Sequence, residues 1–161
     1  MTAQSGGDAV RVSVTVPVPP SEAFARFTDG FADWWPEKQG FTGAPLSSVG
    51  FEGREGALWT EHTSDGDSMK WGRVLAWQPP ERIVLSWELT PEWATTENVE
   101  EASRIEVRFA AADEYSTQVT LTHSEFQRHG DGGGSMREAM ASESEGWPYL
   151  LNGYRRALET G

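Results

Sequence analysis

The chain of 161 residues contains no cysteine. That excludes disulfides, thiolate catalysis and cysteine-ligated zinc together, and it fits a reducing compartment. Basic residues are scarce, 13 Lys and Arg against 25 Asp and Glu, for a net charge of −12. Nucleic-acid binding needs clustered Lys and Arg to neutralise phosphates, so no nucleic-acid partner is expected. The acidic excess is read as a solubility device. No run approaches the ~18 apolar residues of a membrane span. Residues 1–8, Met1-Thr2-Ala3-Gln4-Ser5-Gly6-Gly7-Asp8, lack the basic-then-apolar pattern of a signal peptide. They read as a flexible N-terminus. The expectation is a cytoplasmic protein.

The usual catalytic strings are missing as well. There is no Gly-x-Ser-x-Gly elbow, no phosphate loop ending in Gly-Lys-Ser/Thr, and no dinucleotide fingerprint between a strand and a helix. His62, His123 and His129 lack metal-ligand spacing, so neither metal nor cofactor is expected.

Large aromatic residues are abundant: eight Trp and seven Phe. They fall in strand-like segments and in one C-terminal stretch. Val10, Val12, Val14, Val16 and Val18 alternate with Arg11, Ser13, Thr15 and Pro17, which predicts a strand with one buried face. Prolines 17, 19 and 20 end it. Residues 21–27 read as a short helix with Phe24 and Phe27 on one side, stopped at Gly30. Residues 31–36 read as a second helical turn, closed by Pro36.

From Gly50 the pattern becomes a meander. Strands are expected at 57–63, 69–77, 83–89, 105–109 and 119–123, with a hairpin at Asp65-Gly66 and a corner at Pro79-Pro80. Short connections make these strands antiparallel neighbours. Residues 90–101 are an acidic loop. Gly130-Asp131-Gly132-Gly133-Gly134 reads as a flexible joint, with the weaker alternative of a mobile lid. A helix is expected after it, because Ser135 and Glu138 have capping-box spacing. Pro148 predicts a bend near Gly146. Beyond the bend, Trp147, Leu150, Leu151, Tyr154, Ala157 and Leu158 keep helical spacing on one apolar stripe. The result is a single α+β domain over 9–159: a curved antiparallel sheet gripping a long C-terminal helix, with two short helices after the first strand.

Four strings carry a family resemblance: Ala23-Phe24-Ala25-Arg26-Phe27-Thr28 followed by Trp34-Trp35-Pro36; the run from Trp71 through Gly72-Arg73-Val74 and Pro79-Pro80-Glu81-Arg82 to Trp87; Val119-Thr120-Leu121-Thr122-His123-Ser124-Glu125-Phe126; and Gly146-Trp147-Pro148-Tyr149-Leu150-Leu151. In this order the chain resembles the SRPBCC superfamily, the START-like or birch-pollen-allergen-like helix-grip fold. Within it the chain is similar to bacterial homologues of the activator of heat-shock-protein 90 ATPase, a family whose name points to the stress response. The resemblance implies an elongated apolar pocket between sheet and C-terminal helix. Relatives bind lipids, sterols, polyketides or other hydrophobic molecules, and some cyclise or dehydrate them. Dimers are common among such domains, so a homodimer is allowed. The eukaryotic activator carries a separate N-terminal domain not seen here, so chaperone activation is not the leading expectation.

Three functions are weighed. The first is binding of a small hydrophobic ligand. The second is an enzyme of the aromatase/cyclase or hydrolase type in the same cavity. The third is a chaperone-activator-like interaction protein, which needs an exposed apolar patch. Candidate ligand-binding residues are Trp35, Trp59, Glu61, Trp71, Arg73, Trp87, His123, Trp147 and Leu151. Each Trp serves core packing equally well, since burying about 150–250 Å² of indole is worth at most ~4–6 kcal/mol. Trp59, Trp71 and Trp87 lie on successive strands and can form one aromatic wall. The inward face of 69–77 stays open: Trp71, Arg73 and Leu75 share one side, Val74 and Ala76 the other. Glu61 shares a face with Trp59, which puts a carboxylate among apolar groups unless Arg73 or Arg54 pairs with it. His123 shares a face with Val119 and Leu121. Glu61 and His123 are weak catalytic candidates, requiring both to flank one reacting atom.

Overall fold

The structure is a computed structural model that describes residues 9–36, 45–90, 92–96 and 98–160. The N-terminal segment expected to be frayed lies outside the described residues. Seven antiparallel strands form one sheet: β1 (Val10–Val16), β2 (Leu46–Gly50), β3 (Leu58–Thr63), β4 (Ser68–Gln78), β5 (Arg82–Trp87), β6 (Ser103–Asp113) and β7 (Ser116–Ser124). Their order is β1-β7-β6-β5-β4-β3-β2. Helices α1 (Pro20–Thr28) and α2 (Phe31–Trp34) follow β1, and α3 (Gly133–Ala141) and α4 (Trp147–Thr160) end the chain. α4 packs against β1 and α2 on the inner side of the sheet. This is the curved half-barrel with a C-terminal helix expected of a helix-grip domain.

The inner face is set by alternation. Along β7, Thr117, Val119, Leu121 and His123 are buried, while the residues between them are partly or fully exposed. β6 repeats the pattern with Ser103, Ile105, Val107 and Phe109. α1 starts with Pro20, whose missing N–H costs nothing in a first helical turn. Phe24 then meets Trp77 and Phe109 at ring separations of 5.0 and 5.1 Å. Phe27 meets Tyr154 of α4 at 5.3 Å. Edge-to-face contacts of this kind add to simple area burial.

β4 departs from period two, and this settles its inward side. Trp59 pairs with Gly72 while Thr60 pairs with Lys70, so Trp71 is an extra residue. Val74 pairs with Leu85 while Ala76 pairs with Val84, so Leu75 is another. Each bulge resets the alternation. Trp71, Val74 and Trp77 therefore face the core three residues apart. Arg73, level with the exposed Leu58, faces the opposite side.

Four expectations are corrected. β2 was not foreseen, because a short edge strand reading Leu-Ser-Ser-Val-Gly buries only Val49 and shows no apolar alternation. The C-terminal helix is two helices, parted at Ser142–Gly146 by a turn in which Gly146 N–H bonds the Ser142 carbonyl at 2.9 Å. Pro148 accordingly lies in the first turn of α4, where it is tolerated. Ser135 does not cap α3: the cap position is Gly132, and no side chain bonds there. The glycine run is no loose joint, since a 3-10 turn over Phe126–Gly132 runs directly into α3. Gly133 packs so closely on it that a Cβ would sit 2.2 Å from the Phe126 carbonyl oxygen.

Candidate functional site

The inner face carries an indole cluster drawn from five elements or their flanks. Trp59 of β3, Trp71 of β4, Trp87 of β5 and Trp147 of α4 are 0–1% exposed, and Trp35, just past α2, is also buried. Trp59 and Trp71 are 5.2 Å apart between ring centres, Trp59 and Trp87 5.6 Å, and Trp71 and Trp87 6.2 Å. Trp35 meets Trp71 at 5.0 Å and Trp147 at 6.1 Å. Trp87 meets Trp147 at 6.1 Å. Leu151, one turn along α4, is fully buried. Three β-strands thus supply one wall, and Trp35 and Trp147 bring the helices onto it.

Two polar groups sit within this surface. The Glu61 side chain is fully buried, and Trp71 Nε1 donates to its Oε1 at 2.7 Å. Trp59 Nε1 is a buried donor with no acceptor among the described residues. Buried donors are ordinarily paired, so an unsatisfied one needs a reason.

Arg73 is not part of this group. Its guanidinium makes two bonds to Glu88, at 2.7 and 3.0 Å, on the outer side of the sheet. Lys70 adds a third contact to Glu88 at 2.6 Å. Burial works to raise the Glu88 pKa, but the bonds from Arg73, Lys70 and Ser86 win and hold the carboxyl below its ordinary value. Arg54 pairs with Glu52 at 3.2 Å instead of with Glu61.

His123 anchors the other end of the wall. Trp147 Nε1 donates to His123 Nδ1 at 2.9 Å. An indole nitrogen only donates, so Nδ1 accepts and the imidazole proton sits on Nε2. That nitrogen lies 2.7 Å from Ser103 Oγ. Ser103 Oγ in turn lies 2.6 Å from His129 Nε2, which also accepts the Ser103 backbone N–H at 3.2 Å. Because His129 Nε2 accepts that N–H, the proton of the neutral ring sits on its other nitrogen. Burial, reinforced by His129 nearby, pushes the His123 pKa well below its ordinary value. His129 is also lowered, by burial first, against the Leu89 carbonyl and Glu101, which raise it, and with Arg128, which lowers it. Both rings are therefore neutral near pH 7.

Glu61 and His123 face the same interior but do not converge. Glu61 reaches Trp71, His123 reaches Trp147 and Ser103, and the Trp71 and Trp87 rings lie between them. Sequence pattern does not single out Ser103, and it marks His129 only as a histidine without metal-ligand spacing. A serine opening a strand and a histidine beside a glycine run carry no periodic signal, and only the packing of the 3-10 turn against β6 brings them together.

No curated protein matches the chain. Among solved structures, the anthrahydroquino-Gama-pyrone synthase Txn09 complexed with SUM is 32% identical, over 92% of this chain and 96% of that one, with a TM-score of 0.67. The self-sacrificing resistance protein CalC from Micromonospora echinospora is 26% identical over 97% of each chain, with a TM-score of 0.66. The Aha1 dimer from Colwellia psychrerythraea shares the fold at 16% identity, over 95% of this chain and 97% of that one, with a TM-score of 0.61. The family model described as Activator of Hsp90 ATPase homolog 1-like protein matches residues 17–159. With nearly the whole domain matched by that model and built on the same helix-grip fold, the chain belongs to the activator of Hsp90 ATPase homolog 1-like family.

Proposed function

We propose that this domain binds a small hydrophobic molecule, an oxygenated fused aromatic, between the sheet and α4. The observation that carries the reading is the buried Trp59 N–H without an acceptor among the described residues, set in a wall of indoles beside the Glu61 side chain. Flat guests bind by stacking on rings, and a few placed polar groups fix their orientation. A carbonyl oxygen on the guest would accept from Trp59 Nε1, and a hydroxyl would donate to Glu61. Trp35, Trp71, Trp87, His123, Trp147 and Leu151 would form the apolar surround. The relative named as an anthrahydroquino-Gama-pyrone synthase supports this class of guest.

The test is titration with 1,8-dihydroxyanthraquinone, following tryptophan emission, together with native mass spectrometry of protein from its own host. Saturable quenching is expected, with affinity lowered about tenfold in Trp59→Phe, as the loss of about 1.4 kcal/mol requires. Absence of quenching together with absence of a copurifying compound overturns the reading.

The synthase among the relatives favours a second reading, conversion of the guest. Recovery of the guest after incubation separates the two, because unchanged mass supports binding alone. The dimeric relative supports a homodimeric assembly. Analytical ultracentrifugation checks that directly. The chaperone-activator reading has less support: the large exposed apolar side chains among the described residues are dispersed, Leu58 on β3, Tyr115 in the turn between β6 and β7, and Tyr149 on α4.

A further inference from the structure

On the outer side of the sheet, strand register sets side chains into rows that run across β5, β6, β7 and β1. Arg82, Arg108, Thr120 and Ser13 make one row. Val84, Glu106, Thr122 and Arg11 make the next, and Ser86, Arg104 and Ser124 the third. Residues directly opposite one another in antiparallel strands share a face, and the Ser13 and Thr120 hydroxyls meet there at 2.9 Å. The charged members of these rows are four arginines and one glutamate, in a chain with 25 acidic and 13 basic residues. Only the register gathers Arg11 and Arg82 with Arg104 and Arg108. The acidic neighbours lie at the margin: Glu81 at the β4–β5 corner, Asp113 at the far end of β6, and Glu100, whose carbonyl accepts from Arg128 Nε at 3.2 Å.

Pairing within the face does not balance it. Arg82 and Arg108 stand directly opposite each other, and like charges so placed are destabilising. Both turn to one oxygen: Glu106 Oε2 lies 2.6 Å from Arg82 Nε and 3.2 Å from Arg108 Nη2. Glu125, just past β7, is likewise shared, by Arg128 at 3.2 Å and Arg104 at 4.0 Å. With Arg11, five guanidiniums thus meet two carboxylates. Arg104 and Arg108 keep 57% and 62% of their side chains exposed. A crevice of about 190 Å³ opens beside Arg104, lined also by Leu75, Ser86, Ala102, Arg128 and the buried Glu88. The Glu88 charge is already met by Lys70 and Arg73.

We infer that this outer face docks an acidic segment of a partner protein, with one of its carboxylates entering the crevice beside Arg104. Guanidinium forks bind carboxylates through paired N–H bonds, and the hydroxyls of Ser13, Thr120, Thr122 and Ser124 supply further donors among them. The large exposed apolar side chains, Leu58, Tyr115 and Tyr149, lie off these rows. The contact is therefore polar, of the weak and short-lived kind that charge steers. A nucleic acid or an anionic bilayer fits worse. Either is an extended negative surface, and the rest of the chain, more acidic than its net −12, repels it. A short acidic segment meets the face alone. The face lies across the sheet from the indole interior, and its partner is independent of any guest there.

The test uses the free protein, labelled for NMR. It is titrated with a synthetic peptide of alternating glutamate and serine, and separately with a thymidine oligonucleotide of equal charge. Saturable amide shifts from the peptide are expected along Arg11, Arg82, Arg104, Arg108, Thr120 and Thr122, and they shrink as salt is raised. Arg104→Gln with Arg108→Gln is expected to weaken peptide binding about tenfold. Arg155→Gln with Arg156→Gln, which removes the same two charges from α4, is expected to leave it unchanged. Thermal melts check that both variants fold, and the shift map of the unaltered protein tests the face without them. Absence of shifts, equal weakening in the two variants, or tighter binding of the oligonucleotide to these residues overturns the inference. The same shifts on concentrating the protein alone overturn it in favour of a second copy.

Discussion

Trp71 Nε1 donates to Glu61 Oε1 at 2.7 Å, joining two neighbouring strands through fully buried side chains. The bond exists because a bulge places Trp71 inward, level with the Glu61 face of β3. Glu61→Ala strands the indole N–H in an apolar interior. The expected loss is about 1–3 kcal/mol, a lowering of Tm by roughly 2–4 °C per kcal/mol in a chain of this size. Glu61→Gln keeps an acceptor and is expected to lose less. Urea denaturation of both variants checks the ranking.

Gly72 and Gly134 predict opposite outcomes for the same change. A Cβ on Gly72 would lie 1.8 Å from the Ser86 carbonyl oxygen, a backbone atom that cannot step aside without parting β4 from β5. Gly72→Ala is expected to cost more than about 3 kcal/mol or to abolish cooperative unfolding. A Cβ on Gly134 meets nothing within 4 Å among the described residues, and the residue is helical. Gly134→Ala is expected to stabilise by about 0.4–1 kcal/mol by narrowing the unfolded ensemble. Thermal melts of both separate the two effects.

Tyr154 predicts an alkaline limb. Its hydroxyl donates to the Ala23 carbonyl at 2.6 Å, and burial pushes the phenol well above its ordinary value of 10, with Arg26 opposing. The folded chain holds this proton more tightly than the unfolded chain. The contribution is therefore complete below pH 10 and falls away as the pH rises above it. Tyr154→Phe is expected to lose about 1 kcal/mol at neutral pH and to flatten the decline above pH 10. Stability measured from pH 8 to 11 shows both.

Glu88 predicts an acid limb. Its carboxyl group is fully buried between Lys70 and Arg73, and its folded pKa lies below the ordinary 4.5. Its contribution is complete above pH 4.5 and is lost as the pH falls through the lowered folded value. Glu88→Ala is expected to cost about 3 kcal/mol, the low end for breaking a buried pair, because both cations keep some access to water. Glu88→Gln is expected to flatten the acid decline between pH 5 and 3 in chemical denaturation.

Much of the fold is legible in local pattern. Val10 to Val16, Ile105 to Phe109 and Val119 to His123 announce their buried faces because side-chain direction in a regular strand has a period of two. β4 hides its inward face because two bulges interrupt that period, so Trp71 and Arg73, two apart in sequence, lie on opposite sides of the sheet. β2 hides altogether, since a polar edge strand needs its neighbour's hydrogen bonds and little apolar burial.

The sequence by itself determined the run of strands apart from β2, the short helices behind β1 and the supply of indoles to one interior, because alternation and helical spacing are properties of neighbouring residues. Only the tertiary structure decided that Trp71 serves Glu61, that Arg73 turns away to Glu88, and that Ser103 stands between two histidines. Those relationships join residues 10 to 26 positions apart. They depend on strand register and on where bulges fall, which no local pattern encodes.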